Sequence, residues 1–182
     1  MDAGDGALVA RVAAGDERAF NMLIHRHSGF VHALALRYTQ SRADADEVAQ
    51  GVFLSLWRAA ARWRETATLR TWLYRVTVNR CIDLARRRRR WQWLTGAPDL
   101  DAFADEAPNA NDQITSASEL RAVRQAMAKL PERQRMALVL VAERELSGSE
   151  AADAMDITPG ALEQLLVRGR KKLRSILENG NG

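Results

Sequence analysis

The sequence predicts an all-α protein: two small helical domains joined by an acidic flexible linker, with a helix-turn-helix as the second domain. Three observations predict it. Apolar residues recur at helical spacing along almost the whole chain, and no stretch alternates as a half-buried strand would. The four prolines, Pro98, Pro108, Pro131 and Pro159, stand outside the helical runs or at their starts. Charge also changes sign along the chain. Residues 62–90 hold ten arginines against Glu65 and Asp83, a net +8, whereas residues 91–120 hold six acids and no lysine or arginine.

In order, the spacing predicts helices over 7–13, 17–27, 29–39, 43–63 and 69–90 in a first domain spanning 1–90. Residues 91–118 read as linker, because Gly96, Pro98 and Pro108 join the acids Asp99, Asp101, Asp105, Glu106 and Asp112 there. The second domain, 119–182, is expected to carry helices over 119–129, 131–143, 148–155 and 159–177, followed by a frayed tail.

The 182-residue length allows one domain or two small ones. A hydrophobic share of 47% is enough for a packed core. Cys81 is the single cysteine, so neither an intramolecular disulfide nor a thiolate zinc site can form. His25 and His27 lie two positions apart on a helix and face different ways, so no metal is expected. No cofactor is expected either, because no nucleophile elbow, phosphate-binding loop or zinc-protease motif is present. The acidic, glycine-broken start MDAGDGALVARVAAGDE does not read as a signal peptide, and no apolar run approaches the roughly 18 residues of a membrane helix. A cytoplasmic protein without membrane insertion or a small-molecule substrate is therefore expected.

The second domain carries the sharper motif. Ser147-Gly148-Ser149-Glu150 has the pattern of a capping box, Asp156-Ile157 makes a turn, and Thr158-Pro159 opens the last helix with a capping hydroxyl and a proline at the first helical position. Two short helices joined in this way place the second in a major groove. Projected at about 100° per residue, Leu162, Leu165, Leu166, Gly169 and Leu173 share the inner face. Glu163, Gln164, Val167, Arg168 and Lys171 lie opposite. Glutamine suits adenine, glutamate a cytosine amino group, and arginine a guanine or phosphate. An ordinary solvated helix face has the same spacing.

In the first domain, Trp72, Arg75, Asn79 and Arg86 fall on one stripe of the helix starting at Leu69, a row suited to stacking bases and tracking phosphates of single-stranded DNA. Trp72 in the core with solvated arginines beyond it is the equally plain reading. On the preceding helix Val48, Val52, Leu56 and Ala59 form the inner stripe, and Asp46, Glu47, Gln50, Phe53, Leu54 and Trp57 the other face. Acids mixed with large apolar groups suit a protein partner, although burial of Phe53 and Trp57 in the core is slightly favoured. A stand-alone helix-turn-helix regulator and an arginine-rich RNA-binding protein remain open readings at this point.

Three segments in register then resemble one family. Asp44-Ala45-Asp46-Glu47-Val48-Ala49-Gln50-Gly51-Val52-Phe53 with Trp57-Arg58 resembles the polymerase-binding helix of the extracytoplasmic-function sigma factors. Leu69 to Val76, with Asn79-Arg80-Cys81-Ile82-Asp83 and the arginine run, resembles their minus-ten helix. Leu130 to Arg135 and Leu146 to Leu173 resemble their fourth domain. The resemblance implies a promoter-specificity subunit, not an enzyme. It implies that Asp46, Glu47, Gln50, Phe53 and Trp57 dock on core RNA polymerase. Arg70, Trp72, Arg75, Asn79, Arg80 and Arg86 would hold minus-ten promoter DNA, with the loop from Arg64 to Leu69. Glu163, Gln164, Val167, Arg168 and Lys171 would read the minus-thirty-five element, and an anti-sigma factor would cover these surfaces. Gly51 departs from the pattern, since an acid is common after the glutamine.

Overall fold

A computed structural model describes residues 4–64, 68–96, 114–142 and 146–179, with side chains of 114–118 excepted. Eight α-helices, and no strand, occur among them: α1 (Asp5–Ala13), α2 (Glu17–Thr39), α3 (Arg42–Ala60), α4 (Leu69–Thr95), α5 (Ile114–Ala128), α6 (Glu132–Val141), α7 (Gly148–Ala154) and α8 (Pro159–Asn179). Residues 97–113, the centre of the expected linker, and 65–67, the centre of the expected strand-opening loop, lie outside the described residues.

Local chemistry sets most helix starts. Asp16 caps α2 by accepting from the backbone N–H groups of Arg18 and Ala19, at 2.9 and 3.1 Å. Ser41 caps α3 and Thr68 caps α4 through the N–H groups of Asp44 and Thr71. Where two helices were expected between Glu17 and Thr39, the structure has one. Gly29 inside it costs about 1 kcal/mol relative to alanine, but Leu23, His27, Val31, Leu34 and Tyr38 bury one continuous face across that position. The helix stops at Gln40, which takes the left-handed conformation with φ 61°.

Helix α4 also exceeds its expected end at Arg90, running on to Thr95 with Gly96 as its left-handed stop at φ 64°. No glycine or proline interrupts residues 86–95. Tertiary partners anchor the turn before Arg90, where Arg88 pairs with the buried Asp44 and Arg89 with Glu132 at 3.0 Å, and the helix continues from it until Gly96. Trp91 to Thr95 are therefore helix rather than linker, and α5 begins at Ile114, five residues before the expected second domain.

The buried side chains of α1–α4 and of α6–α8 belong to one continuous core. Within the first block, α2 and α3 pack on each other and on α1 and α4; α6 and α7 of the second block lie against α4, and α6 also against α2. The guanidinium of Arg135 sits 4.1 Å above the buried ring of Tyr38, whose hydroxyl donates to the Glu132 carbonyl at 3.4 Å. Cys81 is fully buried, and burial pushes its thiol up to about 12, so it stays a protonated core side chain. His27, also buried, bonds Asp5 at 2.8 Å and ties α1 to α2. Burial holds its imidazole below the usual range, opposed by that carboxylate. No cluster of potential metal ligands occurs among the described residues.

Candidate polymerase and nucleic-acid interfaces

The capping pattern of the second block appears in full. The Ser147 N–H donates to Glu150 Oε2 at 2.8 Å, and the Glu150 N–H donates to Ser147 Oγ at 3.2 Å. The Ser147 hydroxyl also donates to Glu150 Oε2, at 2.7 Å, and this bond first, then the one from the Ser147 N–H, holds the Glu150 carboxyl below its usual range. Asp156 makes the turn at φ 53°, and Thr158 Oγ1 accepts from Ala161 N–H at 3.2 Å to start α8. Leu162 and Gly169 are buried beneath α8, with Leu165 and Leu166 packed beside them. Gly169 permits a close approach: a Cβ there would stand 3.3 Å from Leu138 Cδ1. Glu163, Gln164, Val167, Arg168 and Lys171 are all exposed, as the projection expects. Val167, at 66% exposure, is an apolar group fit for a thymine methyl rather than for the core.

On α4, Arg75, Asn79 and Arg86 are exposed on one stripe, and Trp72 is half-buried in edge-to-face contact with Trp63, ring centroids 5.7 Å apart. Two residues that the resemblance adds to the minus-ten set lie off this stripe. Arg70 lies about 200° from Trp72 around the helix and stacks over Phe30 and Tyr74, at 4.8 and 5.5 Å. Arg80 turns onto α3 and donates to Ser55 Oγ at 2.9 Å. Gly51 makes this possible, since a Cβ there would come within 2.3 Å of Arg80 Nη1. The glycine that breaks the family pattern thus forms a notch in α3 that seats an arginine of α4. Asp83 pairs with Arg86, at 4.0 Å.

On α3, Asp46, Glu47, Gln50, Leu54 and Trp57 are exposed, while Val48, Val52, Leu56 and Ala60 are buried. Phe53 requires correction. It is 6% exposed and part of the core, so it supports α3 from beneath and has no surface to offer a polymerase. The reason is that α3 packs against both α2 and α4, which widens its buried face beyond one stripe. Trp57 lies at the edge, 37% exposed, with its ring 5.0 Å from that of Phe20. Asp46 meets His32 at 3.0 Å, and Glu47 meets Arg87 at 3.1 Å. These contacts join residues 14 and 40 positions apart, so no local spacing could have found them.

Residues 23–91 match Sigma-70 region 2 and residues 120–173 match Sigma-70, region 4. The chain is 32% identical to RNA polymerase sigma factor CnrH of Cupriavidus metallidurans over 96% of its own length and 94% of that protein's. It is 33% identical to the ECF RNA polymerase sigma-E factor of Escherichia coli, covering 93% of this chain and 92% of that one. Among solved structures, CnrH in complex with the cytosolic domain of CnrY superposes with a TM-score of 0.64 at 26% identity, over 96% of this chain and 97% of that one. The sigma factor RpoE of Bartonella quintana, solved with the anti-sigma factor NepR, shares the fold at a TM-score of 0.67 and 18% identity, over 87% and 96% of the two chains. The chain belongs to the extracytoplasmic-function sigma factors of the sigma-70 family.

Proposed function

We propose that this sigma factor binds core RNA polymerase through Asp46, Glu47, Gln50 and Trp57 of α3. In this reading Trp72, Arg75, Asn79 and Arg86 hold minus-ten DNA, and Glu163, Gln164, Val167, Arg168 and Lys171 read the minus-thirty-five element. Residues 1–90 and 119–182 are its two functional units. An anti-sigma factor controls it by covering these surfaces, as the complexes of CnrH with CnrY and of RpoE with NepR suggest. It works in the cytoplasm and catalyses no reaction itself. Among the described residues no helix is long and apolar enough to cross a membrane.

The observation that carries this reading is the outer face of α3. Acids, an amide and a tryptophan are exposed there on a helix whose other side is core. A stand-alone regulator has no use for such a face. The test is run-off transcription with core polymerase, together with polymerase pull-down. Asp46→Ala with Gln50→Ala is expected to lose polymerase binding and transcription while duplex DNA binding persists. Retained polymerase binding by that double variant sinks the assignment.

Base reading by α8 has its own test. Gln164→Ala is expected to weaken recognition by about 1–3 kcal/mol at a single promoter position. A uniform loss on every upstream sequence, measured by competition binding, would instead make Gln164 a backbone contact.

A further inference from the structure

The C-terminal turns of α4 carry two tryptophans that none of the surfaces above uses. Trp91 is 65% exposed, Trp93 83% and Leu94 65%, the largest apolar exposures of the first block. At about 100° per residue, Trp93, Arg86, Arg90, Leu94, Arg87 and Trp91 follow one another around one side of the helix. Trp72, Arg75 and Asn79 fall on that same side, so the row runs on without a turn away. The opposite side is occupied, since Arg88 pairs with Asp44 and Arg89 with Glu132. Packing of α3 and of the second block against α4 therefore leaves the tryptophans exposed, with Arg87 at the edge of their side meeting Glu47 of α3.

We infer that Trp91 and Trp93, with Arg90 between them, extend promoter contact beyond the minus-ten element onto the duplex DNA upstream of it. This rests on the minus-ten assignment of α4. Charge selects the occupant. From Leu84 to Gly96 the chain holds five arginines and no acid, and Asp83 just before is faced by Arg86. Such a surface suits a phosphate backbone. Tryptophan adds an apolar ring for the deoxyribose edge and an N–H donor for phosphate. Direction follows from chain order, because the C-terminal end of α4 is the end nearer in sequence to the block proposed to read the upstream element. From Asn79 to Trp93 the helix rises about 21 Å, a span of about six base pairs.

The experiment compares two fork-junction probes bound by holoenzyme, assembled from core polymerase and the full chain. In one the duplex ends at the upstream edge of the minus-ten element; in the other it continues for about ten further base pairs. Wild type is expected to bind the longer probe more tightly by about fivefold or more. The variant Trp91→Ala with Trp93→Ala is expected to abolish that gain and to match wild type on the short probe. Trp93→Phe, which keeps an aromatic ring, should retain part of the gain. An unchanged gain in the double variant overturns the inference, as does an equal loss on both probes, which would mark a packing role. Phosphatidylglycerol vesicles bound by wild type and released by the variant, with the gain intact, overturn it in favour of a membrane surface. Failure of wild type to bind either probe overturns the minus-ten assignment itself, and this inference with it.

Discussion

Phe53→Ala is expected to cost about 3–5 kcal/mol of folding stability, the usual loss when a buried phenylalanine is truncated and leaves a cavity. The side chain is 6% exposed, and α3 packs on α2 on one side and α4 on the other. A domain of this size is stable by only about 5–15 kcal/mol, so the loss takes a large part of the total. The urea midpoint should fall with an unchanged slope. Polymerase binding should then fall with the folded fraction and recover at lower temperature or with Phe53→Leu, which restores most of the volume. Asp46→Ala and Gln50→Ala are expected to behave in the opposite way, losing polymerase affinity at an unchanged midpoint. Phe53→Ala with a normal midpoint and no polymerase binding would return this residue to the docking surface.

The Phe53 case shows where sequence reading stopped. Features contained within a few residues were legible. The Ser147–Glu150 capping box, the Asp156 turn and the Thr158 cap all appear as the spacing predicts, because each is satisfied inside one turn of chain. The exposed face of α8 was legible for a related reason. That helix has one buried side, so a single leucine stripe settles the other. Helix α3 is sandwiched, and one stripe underestimates its burial. Features that depend on distant partners left no local trace. The ion pairs that anchor the last expected turn of α4, from Arg88 and Arg89, reach Asp44 and Glu132, more than forty residues away in each direction. Gly51 stood out only as a departure from the family pattern. Its use is visible only once Arg80, 29 positions later, lies across it. Composition separated the acidic stretch from both blocks but could not show that the blocks pack together.

That packing has a consequence for promoter binding. The elements named minus-ten and minus-thirty-five are about 25 base pairs apart, or about 85 Å of duplex. A compact chain of this length measures only about 40 Å across, from a radius of gyration near 16 Å. The two reading helices cannot serve both elements while α6 and α7 lie against α4, so the blocks must separate on the holoenzyme. The polar contacts between them are modest. The Arg135–Tyr38 stack is worth about 0.5–2 kcal/mol, and the Arg89–Glu132 pair, with Arg89 58% exposed, about 0–1 kcal/mol. A cavity of about 100 Å³ lined by Tyr38, Gln40, Asp44, Arg88, Glu132 and Arg135 interrupts the interface. Separation also exposes apolar side chains of the shared core, and polymerase and DNA must supply that difference by binding only the separated form. Bridging the blocks covalently removes that option. In the variant Arg89→Cys with Glu132→Cys, whose wild-type side chains meet at 3.0 Å, a short bismaleimide is expected to abolish run-off transcription. Capping the same thiols singly should leave transcription in place, and Cys81, fully buried, should not compete for the reagent. Polymerase pull-down divides the outcomes further: a bridged protein that still binds core but cannot transcribe places the requirement at promoter engagement, whereas full transcription from the bridged protein would mean that the packed arrangement is itself competent.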